Sequence, residues 1–436
     1  MERVYLETYG CQMNFADSEV VGSILTAAGH SITTDLDDAT LLLINTCAIR
    51  DNAEQRVRHR VRELRATQAR HRELRIGILG CMAERLQHRL MSEEDNLSLV
   101  CGPDAYRSLP RLIEQVRSGA QAAEVELSTT ETYADIEPVR LGSNGISAYI
   151  SIMRGCQNYC SYCVVPYTRG RERSRDPQTI VAEARTLFER GYREVTLLGQ
   201  NVNSYTWPGT GFPDLLDAVA DIDPLLRVRF ATSHPKDLSD RLLEVMASRP
   251  NICKCIHLPV QSGSDRMLKL MNRKYTVEWY LDRVDAIRRH MPECSITTDV
   301  IAGFSGETLA DHKATLDLFR HVRYDYAYMF KYSEREGTYA SRNLPDDIPD
   351  EEKTRRLNEI IALQGQIALE NNRIEAGREY EVLVEGESHR SKEQLFGRNS
   401  QNKVLVFDRR DAQPGTYRRV RVNNCTAATL LGELID

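Results

Sequence analysis

Short apolar runs alternate with helically spaced stretches along the first ~140 residues. Val4–Leu6, Leu41–Ile44 and Ile76–Leu79 are brief and continuous, the pattern of strands buried on both faces. Asp17–Ala28 and Asn52–Gln68, with further stretches near Ala83–Leu90 and Ala105–Arg117, predict helices between and after them. Strand alternating with helix implies a parallel sheet with helices on its faces. A polar stretch, Asp135–Ser147 (DIEPVRLGSNGIS), reads as a linker.

From Ala148 to about Asn372 the alternation resumes. Six strands are predicted: Tyr149–Met153, Val195–Leu198, Arg227–Ala231, Ile256–Val260, Ile296–Ile301 and Tyr326–Phe330. Helical stretches such as Pro177–Arg190 and Val277–Arg289 separate them. Such a series suits a partial barrel or an open doubly wound sheet. The acidic run Pro345–Glu352 predicts a loop entering a last helix, where acids favour the start. The final stretch changes character. Tyr380–Val384, Lys403–Phe407 and Arg418–Val422 predict strands of a small β-barrel, a type that often binds oligonucleotides.

The chain has 436 residues, a length suited to about three domains. With 41% hydrophobic and 28% charged residues it is neither disordered nor collagen-like. No run approaches the ~18 apolar residues of a membrane span, and no secretory pattern opens the sequence. A cytoplasmic protein without a membrane partner is expected. Eleven cysteines then need a reason other than disulfides, and in a reducing compartment metal binding or catalysis is the usual one. The net charge of −6 does not advertise nucleic acid, so local basic patches matter more than the sum.

The strongest chemical signal is Cys156-Gln-Asn-Tyr-Cys160-Ser-Tyr-Cys163, directly after a predicted strand. Soft thiolates suit zinc or iron–sulfur clusters. A closed zinc site wants four ligands. A [4Fe–4S] cluster held by three thiolates keeps one iron open for a substrate. A zinc knuckle with a distant His or Cys as fourth ligand is the alternative. Three further cysteines, Cys11, Cys47 and Cys81, each follow the C-terminal end of a predicted strand (VYLETYGC, LLLINTC, IGILGC). In a parallel sheet those ends share one edge, where ligands bind. A second cluster follows, against the alternative of three unrelated buried thiols. Cys101, Cys253, Cys255, Cys294 and Cys425 are expected to be plain buried thiols.

The C-x3-C-x2-C spacing with Tyr162 before the last Cys resembles the radical S-adenosylmethionine superfamily. YGCQMNFADSE (Tyr9–Glu19), INTCAIR and LGCMAE resemble the motifs of its methylthiotransferase branch. The resemblance spans essentially the whole chain. It implies an α/β methylthiotransferase domain with an auxiliary cluster (1–140), a partial (β/α)6 radical barrel (147–373) and a TRAM β-barrel docking RNA (374–436). Gln12-Met13-Asn14 after the first cysteine resembles the branch that acts on isopentenyl-type adenosines of tRNA, where the ribosomal-protein branch usually has Pro-Lys-Asn and the threonylcarbamoyladenosine branch Lys-Val-Asn. The implied reaction places a methylthio group on C2 of N6-isopentenyladenosine at position 37 of tRNA, beside the anticodon.

By the same resemblance, Cys156, Cys160 and Cys163 hold the catalytic cluster that cleaves S-adenosylmethionine. Cys11, Cys47 and Cys81 hold a second [4Fe–4S] cluster that presents sulfur. One S-adenosylmethionine methylates that sulfur and another is the radical source. Contacts to S-adenosylmethionine are expected from Tyr162, Gln200, Asn201, Asn203, Ser233, His234, Gln261 and Asp299, on loops or strands facing the barrel's ligand side. Implied partners are the tRNA anticodon stem-loop, an electron donor protein, and sulfur-supplying or cluster-assembly proteins. Three basic segments are candidate RNA contacts: Arg50–Arg75, the loop Arg169–Arg175, and Arg418-Arg419-Val-Arg421 beside an exposed Tyr417. The rival functions are methylthiolation of a ribosomal protein and zinc-dependent, non-catalytic RNA binding.

Overall fold

The computed structural model describes residues 1–48 and 51–435. Arg50, which opens the first arginine-rich segment, lies outside the described residues. Six parallel strands form the first sheet, in the spatial order Ser31–Thr33, Arg3–Tyr9, Leu41–Thr46, Arg75–Gly80, Leu99–Cys101, Ala122–Glu124. Leu41–Thr46 is buried at every position, as a central strand covered on both faces must be. The first helix begins earlier than its apolar pattern suggests, at Gln12, because Cys11 occupies the N-cap. The helix predicted at Ala83–Leu90 is two short ones, Cys81–Leu86 and His88–Glu93, broken at Gln87, whose φ is +50°.

The stretch read as a linker is fastened rather than free. Ser23 Oγ donates to Glu137 O at 2.7 Å and accepts from Val139 N at 2.8 Å. Arg140 pairs with Glu19 at 2.7 Å and Glu183 at 2.6 Å, joining the first helix to the barrel.

The barrel strands are Ser147–Ser151, Glu194–Leu198, Arg227–Ala231, Cys255–His257, Ser295–Ala302 and Tyr326–Lys331. They form two three-stranded parallel sheets, joined by the parallel bridge Val228–Ile252. This is the expected partial (β/α)6 arrangement. One strand face, including Ile150, Leu197, Val228, Ile256, Val300 and Ala327, packs under the helices in the main core. Alternation turns the other face inward. There Tyr149, Leu198 and Ala231 meet Met13 and Ala16 of the first helix, so the first domain caps this part of the barrel.

The C-terminal strands Glu379–Ser388, Ser391–Arg398, Val404–Asp408, Tyr417–Cys425 and Leu430–Leu434 close into a barrel. Two of them were not legible in the sequence. Ser391–Arg398 alternates around mostly polar residues, and Leu430–Leu434 is broken by glycine. This small barrel docks where the larger barrel's strands begin. Arg227 Nη1 donates to Arg398 O at 2.7 Å, Arg229 Nη2 to Asn399 O at 2.8 Å, and Lys403 pairs with Asp325 at 3.2 Å.

No helix among the described residues is long and apolar enough to cross a membrane. Cys101 and Cys253 are buried as expected, whereas Cys255, Cys294 and Cys425 are only partly so. Cys294 and Cys425 sit at the margins of their cores.

Candidate active site

Tyr9, Thr46 and Gly80 lie side by side at the C-terminal edge of three adjacent strands. Cys11, Cys47 and Cys81 follow within one or two residues, so parallel register alone brings the three thiols to one edge. The turns that present them are tight. A Cβ on Gly10 would lie 2.4 Å from Asn14 Oδ1 and 2.9 Å from Cys47 Cβ. Gly80, at φ +87°, would place one 2.4 Å from Asn45 Oδ1. Asn14 joins the loops: its Oδ1 accepts from Cys11 N at 3.3 Å, and its Nδ2 donates to Asn45 Oδ1 and Thr46 O, both at 3.2 Å. A hydrogen bond from Cys47, aided by Arg169, outweighs burial and lowers the Cys11 thiol to about 6. Burial raises the Cys81 thiol despite the opposing pull of Arg169. One edge thus holds a thiol primed to ionise beside cationic support, as cluster ligation requires.

The second triad sits in a loop pinched at its base by the antiparallel pairs Met153–Ser174 and Arg154–Arg173. Gly155, at φ +81°, starts the loop, and a Cβ there would meet Arg171 O at 2.0 Å. Cys156 N donates to Gly170 O at 3.1 Å, and Cys163 N to Cys160 O at 2.9 Å. Asn272 Nδ2 supports the left-handed turn at Tyr159 by donating to its carbonyl at 2.7 Å. Burial pushes the Cys156 thiol up to about 11 and raises Cys163 as well. Arg273, itself buried, donates through Nη1 to Cys160 Sγ at 3.1 Å.

The two triads are close neighbours in the fold. Val164, the residue after Cys163, packs with Ala48 and Cys81. Among the described residues no three His, Cys, Asp or Glu side chains are set to hold a single metal ion. A cubane is held by thiolates on separate irons, a wider set than one ion takes.

Beyond the second triad, unpaired polar atoms gather where the second and third barrel strands end. Gln200 Oε1, both amide atoms of Asn203 and Ser233 Oγ are buried without a hydrogen-bond partner in the protein. Buried polar groups rarely stay unpaired, so this lining fits a polar ligand such as S-adenosylmethionine. Asn201 is already committed: it donates to Asp237 at 2.7 Å and accepts from His234 N at 3.0 Å. His234 packs edge-on to Tyr275, and burial, with Arg273, lowers its imidazole to about 2. Gln261, at φ +71°, bridges to the fifth strand through Asp299 O and Ile301 N. Asp299 Oδ1 lies 3.4 Å from His257 Nε2. Tyr162 packs edge-on against Phe304, with ring centres 6.3 Å apart.

The three basic segments differ: the loop after the second triad turns most of its arginines inward, whereas the other two keep exposed arginines such as Arg62, Arg65, Arg419 and Arg421 in surface ion pairs. In the loop after the second triad, Arg169, Arg173 and Arg175 are buried and paired with Asp17, Asp104 and Glu183. They clamp domains and loops, because a guanidinium placed at this interface must find a carboxylate. On the second helix, Arg58, Arg60, Arg62 and Arg65 pair with Glu54, Glu7, Glu93, Glu94 and Asp95. On the last barrel, Arg418 pairs with Asp411, and Arg419 and Arg421 with Glu379. Tyr417 is not exposed. Its hydroxyl donates to Arg193 O and Leu225 O, and Arg227 stacks on its ring at 5.0 Å.

Sequence reasoning missed Asp17, Arg154 and Arg273. Asp17 lies inside the YGCQMNFADSE motif and Arg154 two residues before Cys156, so both carried a positional signal. Arg273 carried none.

Three family models match: the uncharacterized protein family UPF0004 over residues 3–102, the radical SAM superfamily over 150–319 and the TRAM domain over 373–435. A curated tRNA-2-methylthio-N(6)-dimethylallyladenosine synthase of Phocaeicola vulgatus is 55% identical, covering 99% of this chain and 96% of the relative. The protein of that name from Amoebophilus asiaticus is 56% identical over 99% of this chain and 92% of its own length. Among solved structures, a radical S-adenosylmethionine methyltransferase from Kitasatospora setae shares the fold, with TM-score 0.56 and 15% identity over 75% of this chain and 72% of that one. The chain is a radical S-adenosylmethionine enzyme, whose family implies a [4Fe–4S] cluster and S-adenosylmethionine, and it belongs to the tRNA-2-methylthio-N(6)-dimethylallyladenosine synthase family.

Proposed function

We propose that this chain attaches a methylthio group to C2 of N6-isopentenyladenosine in tRNA, the product its full-length relatives are named for, and that the target is position 37. That 55% identity, spanning all three matched regions, carries the reading. The residues support it. Two sets of three thiols stand on neighbouring loops, and each set leaves a cubane one open iron. Cys156, Cys160 and Cys163 are the ligands of one cluster, and Cys11, Cys47 and Cys81 those of the auxiliary one. We assign residues 1–140, 147–373 and 374–436 to the auxiliary-cluster, radical and RNA-docking units.

S-adenosylmethionine with a reduced cluster supplies hydrogen-atom abstraction from an unactivated C–H bond and a methyl group. The protein's share is binding and orientation. Gln200, Asn203 and Ser233 offer unpaired polar atoms to the bound cofactor. Asn201 holds the His234 backbone in place, and Gln261 and Asp299 shape the opposite side. The first helix covers Tyr149, Leu198 and Ala231 and excludes water from that part of the barrel. The anticodon stem-loop offers unstacked bases, which proteins splay out and read. The reaction also calls for an electron donor and a sulfur or cluster supplier, and we place the protein in the cytoplasm, where its tRNA is.

Anaerobic reconstitution followed by iron and sulfide analysis, then mass spectrometry of tRNA nucleosides, tests the reading. About eight iron and eight sulfide per chain are expected, with a methylthio mass gain on isopentenyladenosine. Zinc without iron, or a mass gain on a ribosomal protein in place of tRNA, overturns it.

A further inference from the structure

Each cysteine triad has one thiol that accepts a hydrogen bond from a buried guanidinium. Arg273 Nη1 serves Cys160, and Arg169 Nε serves Cys81, both at 3.1 Å. The second case crosses between domains. Arg169 lies six residues after Cys163, yet it reaches the opposite triad. Its Nη2 donates to Asp17 Oδ2 at 2.7 Å, and Asp17 also receives Arg154 at 2.8 Å. Arg154 stands 3.5 Å from Asp104, which pairs with Arg173 at 2.9 Å. Among these five side chains two carboxylates face three guanidiniums, an excess of one positive charge within the set, with a further buried carboxyl, Glu84, near Asp104. All five side chains are buried, so that charge acts through a low dielectric. Arg169 Nη1 is buried with no acceptor in the protein, an unmet donor next to Cys81.

A cluster ligated by thiolates becomes more negative on reduction. Hydrogen bonds to its sulfurs and nearby positive charge stabilise the reduced form and raise the potential. We propose that Arg169 is a positioning residue for the cluster at Cys11, Cys47 and Cys81, holding that cluster's reduction potential up through the N–H···S bond to Cys81. This rests on the assignment of that triad as a cluster site.

The test uses full-length protein with Cys156, Cys160 and Cys163 replaced by alanine, reconstituted without oxygen. About four iron per chain then report on Cys11, Cys47 and Cys81 alone; failure to bind iron overturns the ligand assignment. With iron bound, a dithionite titration followed by electron paramagnetic resonance reads the potential. Arg169→Gln is expected to shift the reduction equilibrium at least tenfold toward the oxidised form, about 59 mV for one electron. Arg169→Lys, which keeps charge but not the fork, is expected to fall between. Arg273→Gln, whose thiol partner Cys160 is already replaced in this protein, is expected to leave the potential unchanged. An unshifted potential in either Arg169 variant that loads iron overturns the proposal. Loss of iron from both, with a native circular dichroism spectrum, assigns Arg169 to cluster retention and also overturns it.

Discussion

Arg154 Nη1 donates to Asp17 Oδ1 at 2.8 Å, with both side chains almost wholly buried. One belongs to the strand that enters the Cys156 loop, the other to the helix that Cys11 caps. Burial acts to raise the Asp17 carboxyl, but Arg154 and Arg169 outweigh it and hold it below the ordinary carboxylate range. Asp17→Asn removes the charge and leaves two buried guanidiniums without their shared partner. Breaking a buried pair costs about 3–5 kcal/mol, so a clear drop in melting temperature is expected. The Asp17 contribution is complete at neutral pH, above the unfolded carboxyl's pKa of about 3.9. It is lost progressively as pH falls from that value to the lower folded one.

His234 gives a second pH dependence, over a different window. Its folded value near 2 lies far below the ordinary imidazole value of about 6.5. Between those limits the unfolded state binds the extra proton, so stability falls on acidification from pH 6.5 toward 2. At one proton the loss is roughly 1.4 kcal/mol per pH unit, or about 2 kcal/mol by pH 5. Melting curves at pH 7 and pH 5 are expected to differ less for His234→Gln than for the native protein. An equal difference in both proteins removes His234 as the cause.

Replacing Cys160 with alanine is expected to halve iron from about eight to about four per chain. It should also abolish reductive cleavage of S-adenosylmethionine. Undiminished 5′-deoxyadenosine formation, read by chromatography, would contradict the ligand assignment.

Gly155→Ala forces a Cβ to within 2.0 Å of the Arg171 carbonyl at φ +81°. Neither the strain, of order 1–3 kcal/mol, nor the backbone clash can be relieved by a side-chain rotation. Selective loss of the iron held by Cys156, Cys160 and Cys163 is expected, with the cluster at Cys11, Cys47 and Cys81 retained. Full iron content in this variant would mean the loop tolerates opening at its base.

Tyr417→Phe removes a hydroxyl that donates to Arg193 O and Leu225 O. A loss of about 1 kcal/mol in stability is expected, and tRNA affinity should stay at the native level. Reduced affinity without reduced stability would restore Tyr417 as an RNA contact.

The alternation of strands and helices, the six barrel strands and the placement of Cys11, Cys47 and Cys81 at one sheet edge were legible in the sequence, because each depends on local pattern. A short apolar run bounded by turn residues reads as a buried strand, and a thiol after a parallel strand sits at the sheet's ligand edge. The weakly patterned strands Ser391–Arg398 and Leu430–Leu434 exist because closing the barrel pairs their backbones. The roles of the arginines were decided only by the tertiary structure. Arg169 looked like an RNA contact, but its carboxylate partner is 152 residues away. Arg273 meets Cys160 across 113 residues. A charge's function is set by what stands within a few ångströms of it, and chain order carries no record of that distance.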